Sequence, residues 1–135
     1  MPHEKMLKAM HAKTEEIFNA SETYQKGGKR GIMVAQIRDA QNPDIWHSSQ
    51  QAYGKLSDGP GGGGFSFETT VFEKIAYTRR TGKPSGATKQ DCVGTESYWY
   101  GAVISDDGNC ICAFSGFEGE DDVLIAQAGL AEYNK

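Results

Sequence analysis

The chain has 135 residues, 38% of them hydrophobic and 24% charged, with a formal net charge of −4. That length suits a single domain over residues 1–135 with a core of its own, needing no metal or disulfide staples. No apolar run approaches the ~18 residues of a membrane span, no basic tract exceeds two residues, as at Lys29-Arg30, and 10% of the chain is aromatic; these set aside membrane insertion, nucleic-acid binding and disorder.

Residues 4–24 read as one helix. Met6, Leu7, Met10, Thr14, Ile17 and Phe18 recur at gaps of three and four, and Gly27-Gly28 ends the run. Residues 31–39 read as a strand apolar on both faces, as in a sheet covered on both sides. Asn42-Pro43-Asp44 turns the chain into a more polar strand over 44–51, which carries His47. Residues 53–64 form a loop, since Gly61 to Gly64 cannot hold regular structure cheaply. No Gly-Lys-Ser/Thr follows these glycines, so the loop reads as a lid rather than a phosphate cradle.

Ser66 caps a helix running to Thr81, with Val71, Phe72, Ile75 and Ala76 on its inner stripe and Gly82-Lys83-Pro84 as its stop. Arg79, Arg80 and Lys83 gather at its C-terminus, where cations complement the helix dipole and could also grip a carboxylate or phosphate. One more short strand is expected between 86 and 96. Residues 98–105 and 110–115 then alternate on either side of Asp107-Gly108, a pair preferred in two-residue type I′ turns. That turn sets Ile104 against Ile111 and Val103 against Cys112. Both faces are apolar, which places this hairpin at the sheet centre. A last helix follows from about Glu120 to Tyr133, its start crowded by Glu118, Glu120, Asp121 and Asp122, a candidate for a weak cation site.

Cys92, Cys110 and Cys112 make an odd count, and the N-terminal residues hold no apolar stretch of signal-peptide length. Reduced thiols and a cytoplasmic location are the expectation, with no bound metal. Cys110 and Cys112 share a strand face, so their thiols should be neighbours.

Ser115-Gly116, Gly119, Asp122 and then Ala126-Gln127-Ala128-Gly129-Leu130 resemble the ending of the GlcG/HbpS-like family. Ala76-Tyr77-Thr78 is similar to that family's Lys-Ala-x-Thr helix, with Ile75 in the lysine's place and Lys74 one residue early. The resemblance implies an α+β, profilin-like three-layer sandwich with a five-stranded antiparallel sheet flanked by helices, assembled as a homo-oligomer. It also implies a small-molecule ligand, which in some members of the family is haem.

Three functions follow, one of them a plain interaction protein whose apolar helix faces build an oligomer. In a small-ligand-binding protein taking haem or another organic anion, His47 is the first axial donor, with Tyr53, Tyr77, Tyr98 and Tyr100 as alternatives. In a small catabolic enzyme (isomerase, hydratase or decarboxylase), His47 and Tyr77 would move protons. Lys74, Arg79 and Arg80 would hold an organic acid, and Gly62 and Gly63 would belong to the lid.

Overall fold

A computed structural model describes residues 2–58, 65–86 and 88–135. Helix α1 spans Pro2–Asn19 and buries Met6, Leu7, Met10 and Thr14, the stripe its sequence period marks. It does not run on to residue 24. Ser21 leaves helical space at φ −124° and ψ 111°, and its Oγ accepts from the Tyr24 N–H, which starts a separate short helix α2 at Glu22–Gly27. A serine offers this local bond in place of a continuing helix.

Strand β1 (Ile32–Arg38) pairs antiparallel with β2 (Trp46–Ala52), and Tyr53 leads into the loop. Helix α3 (Phe67–Thr81) starts on Ser66, whose Oγ accepts from the Thr69 N–H, and closes on Gly82. Strands β3 (Ala102–Ile104) and β4 (Cys110–Ser115) form the second hairpin, and helix α4 (Gly119–Tyr133) completes the chain. The sheet order is β2-β1-β4-β3, all antiparallel.

The sheet therefore has four strands, not the expected five. The described residues of 86–96 supply no strand. Thr88 and Asp91 close a short 3-10 turn over Lys89–Asp91, with the Asp91 carboxylate accepting from the Thr88 hydroxyl at 3.0 Å. Glu96 is drawn to Arg80 on α3 instead of to a sheet edge. Side-chain acceptors capture the local donors of a segment that has no two-residue period. β3 is also shorter than the expected 98–105 and sits at an edge, so the central strands are β1 and β4.

The hairpin register is the expected one, with Ala102 opposite Ala113, Val103 opposite Cys112 and Ile104 opposite Ile111. The turn differs. Among the described residues no non-glycine has a positive φ, whereas Gly108 has φ 77°. A type I′ turn would need Asp107 at positive φ as well. The chain instead makes a four-residue loop over 106–109, with the Gly108 N–H donating to the Ser105 carbonyl at 2.9 Å. A two-residue and a four-residue loop share the same midpoint, so the register survives the change of turn.

Helices cover both faces. On one, α1 and α4 pack Met6, Met10, Ile125 and Ala126 against Met33, Ala35, Cys110, Cys112 and Phe114. On the other, α3 packs Phe67, Val71 and Ile75 against Ile32, Val34, Ile111 and Ala113. The alternation of β1 and β4 thus divides between two cores.

Gly129 on α4 sets how closely the first core closes. A Cβ there would lie 2.8 Å from Met10 Cγ and 3.0 Å from Cys112 Sγ. Gly129→Val should destabilise the protein by ~1–3 kcal/mol through overpacking, against the gain expected from removing a helix glycine. Urea unfolding checks this; a variant as stable as the parent would show that the contact is slack.

Candidate functional site

Two helices each place one charged side chain on a stripe that is otherwise uncharged. On α3 the inward residues are Val71, Lys74, Ile75 and Thr78; on α4 they are Asp122, Ile125, Ala126 and Gly129. Both sets follow the i, i+3, i+4, i+7 spacing of a buried helix face. The helices lie on opposite faces of the sheet, yet Lys74 Nζ meets Asp122 Oδ2 at 3.1 Å. The Lys74 and Asp122 side chains are 1% and 4% exposed, so each charge depends on the other for solvation. Lys74 Nζ also donates to the Phe114 carbonyl at 3.1 Å, and Asp122 Oδ1 accepts from the Phe117 N–H at 3.0 Å.

Gly101, just before β3, makes room for this meeting. Its φ is 136°, and a Cβ there would fall 2.8 Å from Lys74 Nζ and 2.5 Å from the Phe114 oxygen. No side chain fits at that point, and the backbone conformation also favours glycine.

Above the pair opens a cavity of about 490 Å³. Lys74 and Asp122 form its floor. Tyr98, Trp99, Tyr100 and Phe117 form its walls, and Gly86, Glu118 and Gly119 complete the lining. Tyr98, Trp99 and Tyr100 stand 41%, 45% and 55% exposed, unusual for three consecutive aromatic residues. The walls are braced from behind. Trp99 stacks on Phe65 with ring centroids 5.1 Å apart, and Phe117 stacks on Tyr24 at 4.3 Å. The Tyr24 hydroxyl donates to Asp121 and accepts from the Glu118 N–H.

Burial lowers the Lys74 ammonium from its ordinary value, opposed by the Asp122 charge. Burial pushes the Asp122 carboxyl up to about 7, against the pull of Lys74 and of the Phe117 N–H. Both shifts run toward the neutral forms. Lys74 has three N–H donors and two acceptors within the protein, which leaves one donor for a molecule in the cleft.

Of the residues singled out in the sequence, Lys74 lines this cleft, together with Tyr98 and Tyr100, named as alternative axial donors, and Glu118 and Asp122 of the acidic run. His47 lies on β2, at the sheet edge opposite β3, with Nε2 2.8 Å from the Asp39 carboxylate. Arg79 donates to Gln36 Oε1 at 2.8 Å beside Trp46. Arg80 forms a two-pronged pair with Glu96 at 2.7 and 2.9 Å and caps the Tyr77 ring, which is itself buried. Tyr53 packs in the α1/α4 core, and its hydroxyl donates to Glu15. Gly62 and Gly63 lie outside the described residues. His47, Tyr77 and Arg79 therefore do not converge on one reacting centre.

The acidic cluster also diverges: Asp122 turns inward to Lys74, and Asp121 turns to Tyr24. Among the described residues no three His, Cys, Asp or Glu side chains are placed to share a metal ion. Cys110 and Cys112 are fully buried, their thiols 3.5 and 3.8 Å from Met6 Sδ. No helix among the described residues is long and apolar enough to cross a membrane. No family model matches the chain, and no curated protein does. The fold and the cleft together define an α+β protein with one polar floor set under an aromatic mouth.

In the sequence Asp122 reads as one of four acids at a helix start, a candidate cation ligand, and not as the partner of Lys74. The signal was its phase, four residues before Ala126 and seven before Gly129. Lys74 carried the same signal on α3, but Phe72 draws the inner stripe out of register, and Phe72 is in fact exposed.

Lys74→Met leaves Asp122 buried without a counter-ion. Breaking such a pair costs ~3–5 kcal/mol while the carboxylate stays ionised. Without Lys74 the Asp122 carboxyl rises further above its free value. A raised carboxyl favours the folded state at acid pH, and that contribution is lost as pH rises through the folded value. The deficit of the variant should be small at acid pH and grow as pH passes about 7. Lys74→Met with Asp122→Leu should recover most of it. Urea titrations across pH check both; a deficit independent of pH would show that Asp122 does not titrate there.

Proposed function

We propose that this protein binds a small organic acid that carries a flat apolar group. The observation that carries the reading is the buried Lys74 amine, with one donor to spare, at the floor of a cleft walled by Tyr98, Trp99 and Tyr100. Aromatic side chains offer faces on which a flat ring stacks, and a few convergent polar groups fix its orientation. The ligand carboxylate takes the Lys74 N–H and the first-turn amides of α4 at Gly119, where a helix N-terminus favours negative charge. Asp122 already balances the Lys74 charge, and Glu118 adds a second carboxylate at the rim. The reading is therefore of a monoanion.

Haem was the ligand implied by the GlcG/HbpS-like resemblance. Among the described residues the cleft lining contains no His, Cys or Met, so an iron would depend on Tyr98 or Tyr100. The donor set fits an organic anion better than a porphyrin iron, and the reading takes that branch.

The protein has two tryptophans, so Trp46→Phe leaves Trp99 as the sole indole reporter. Phenylacetate should change its fluorescence saturably. The double variant lacking Lys74 and Asp122 should bind about tenfold or more weaker, the worth of one lost charge-assisted hydrogen bond. A titration without saturation would overturn the reading.

A further inference from the structure

We propose that Lys74 forms a reversible imine with the carbonyl carbon of a 2-oxo acid held in the cleft, with Asp122 as its proton partner. The inference rests on the binding reading above and gives it a substrate class. Three features of the geometry support it. Among the described residues Lys74 is the only buried lysine. It lines the cavity, and its Nζ lies 3.1 Å from a carboxylate that can receive its proton. Gly101 carries no side chain to displace Nζ from this position, since a Cβ there would fall 2.8 Å from it. In a 2-oxo acid the carboxylate is one bond from the carbonyl carbon, so the amides at the start of α4 can hold one group while Lys74 meets the other.

The step balances within the pair. Lys74 passes a proton to Asp122, and the free amine attacks the carbonyl carbon. A C–N bond forms, and the carbonyl π pair moves to oxygen, which takes the proton from Asp122. The nitrogen of the resulting carbinolamine returns a proton to Asp122, which delivers it to the hydroxyl as the C–O bond breaks. The products are a protonated imine and one water, and Asp122 ends as the carboxylate it began as. The ion pair is replaced by another of the same charge, so no net charge is added to the buried floor. A desolvated lysine beside a proton acceptor is an established way to make an amine nucleophilic, and the burial of Lys74 pulls it in that direction.

The test uses the whole chain, with phenylglyoxylate as the carbonyl probe and cyanoborohydride as the trapping reductant. Near neutral pH a surface lysine holds only about one amine in a thousand unprotonated. Lys74 should therefore be labelled about tenfold or more faster than any other lysine, as read by peptide mapping. Phenylacetate, which has no ketone, should protect it. Lys74→Arg should abolish the fast adduct while the fold, checked by circular dichroism, is kept. Slow labelling spread over surface lysines, with Lys74 unmodified, overturns the imine. If phenylacetate still binds in that case, the imine falls alone; if it does not bind, the cleft reading falls with it.

Discussion

An ammonium and a carboxylate, both removed from water, meet where the α3 layer, the sheet and the α4 layer come together. Neither could be buried alone, since an isolated charge in a low-dielectric interior is unfavourable by several kcal/mol. This mutual dependence constrains much of the nearby chain. Residue 101 has to lack a side chain, the Phe114 carbonyl has to face the amine, and α4 has to begin where the Phe117 amide can reach Asp122. The β3 ladder is short for a related reason. Gly101 turns the backbone out of regular strand geometry, and the three residues before it stand free of the sheet as the cleft wall.

The pair is a poor source of net stability. Both partners shift toward their neutral forms, which means that desolvation exceeds their attraction. Packing in the two cores, with Ile32, Val34, Val71, Ile75 and Ile111 on one side and Met6, Met10, Phe114 and Ile125 on the other, carries the fold.

The order of the three long helices and the two hairpins could be read from periodicity and turn residues, because α1 and α4 bury a regular stripe and β1 and β4 are apolar on both faces. The register of the second hairpin was legible even though its turn type was not, since both loops share one midpoint. The break at Ser21 was hidden because a serine inside a helical pattern does not announce whether its hydroxyl will cap. The fifth strand was an expectation from resemblance with little local pattern behind it. Residues 88–91 instead satisfy one another through the Thr88 and Asp91 side chains. The site was half legible: Lys74 was on the page, but its partner is 48 residues away, and only the layering of the fold brings them together.

Helix α4 is held in two ways that differ in mechanical character. At its first turn, Asp122 is pinned to Lys74 and to the Phe117 amide by directional bonds. Further along, Gly129 rests on Met10 and Cys112, in a core that also holds Met6, Met33 and Cys110. Thioethers are unbranched and polarizable, and they change rotamer to fill irregular gaps with little loss of contact. The far half of α4 thus lies on a compliant bearing, and its near end on a rigid pivot.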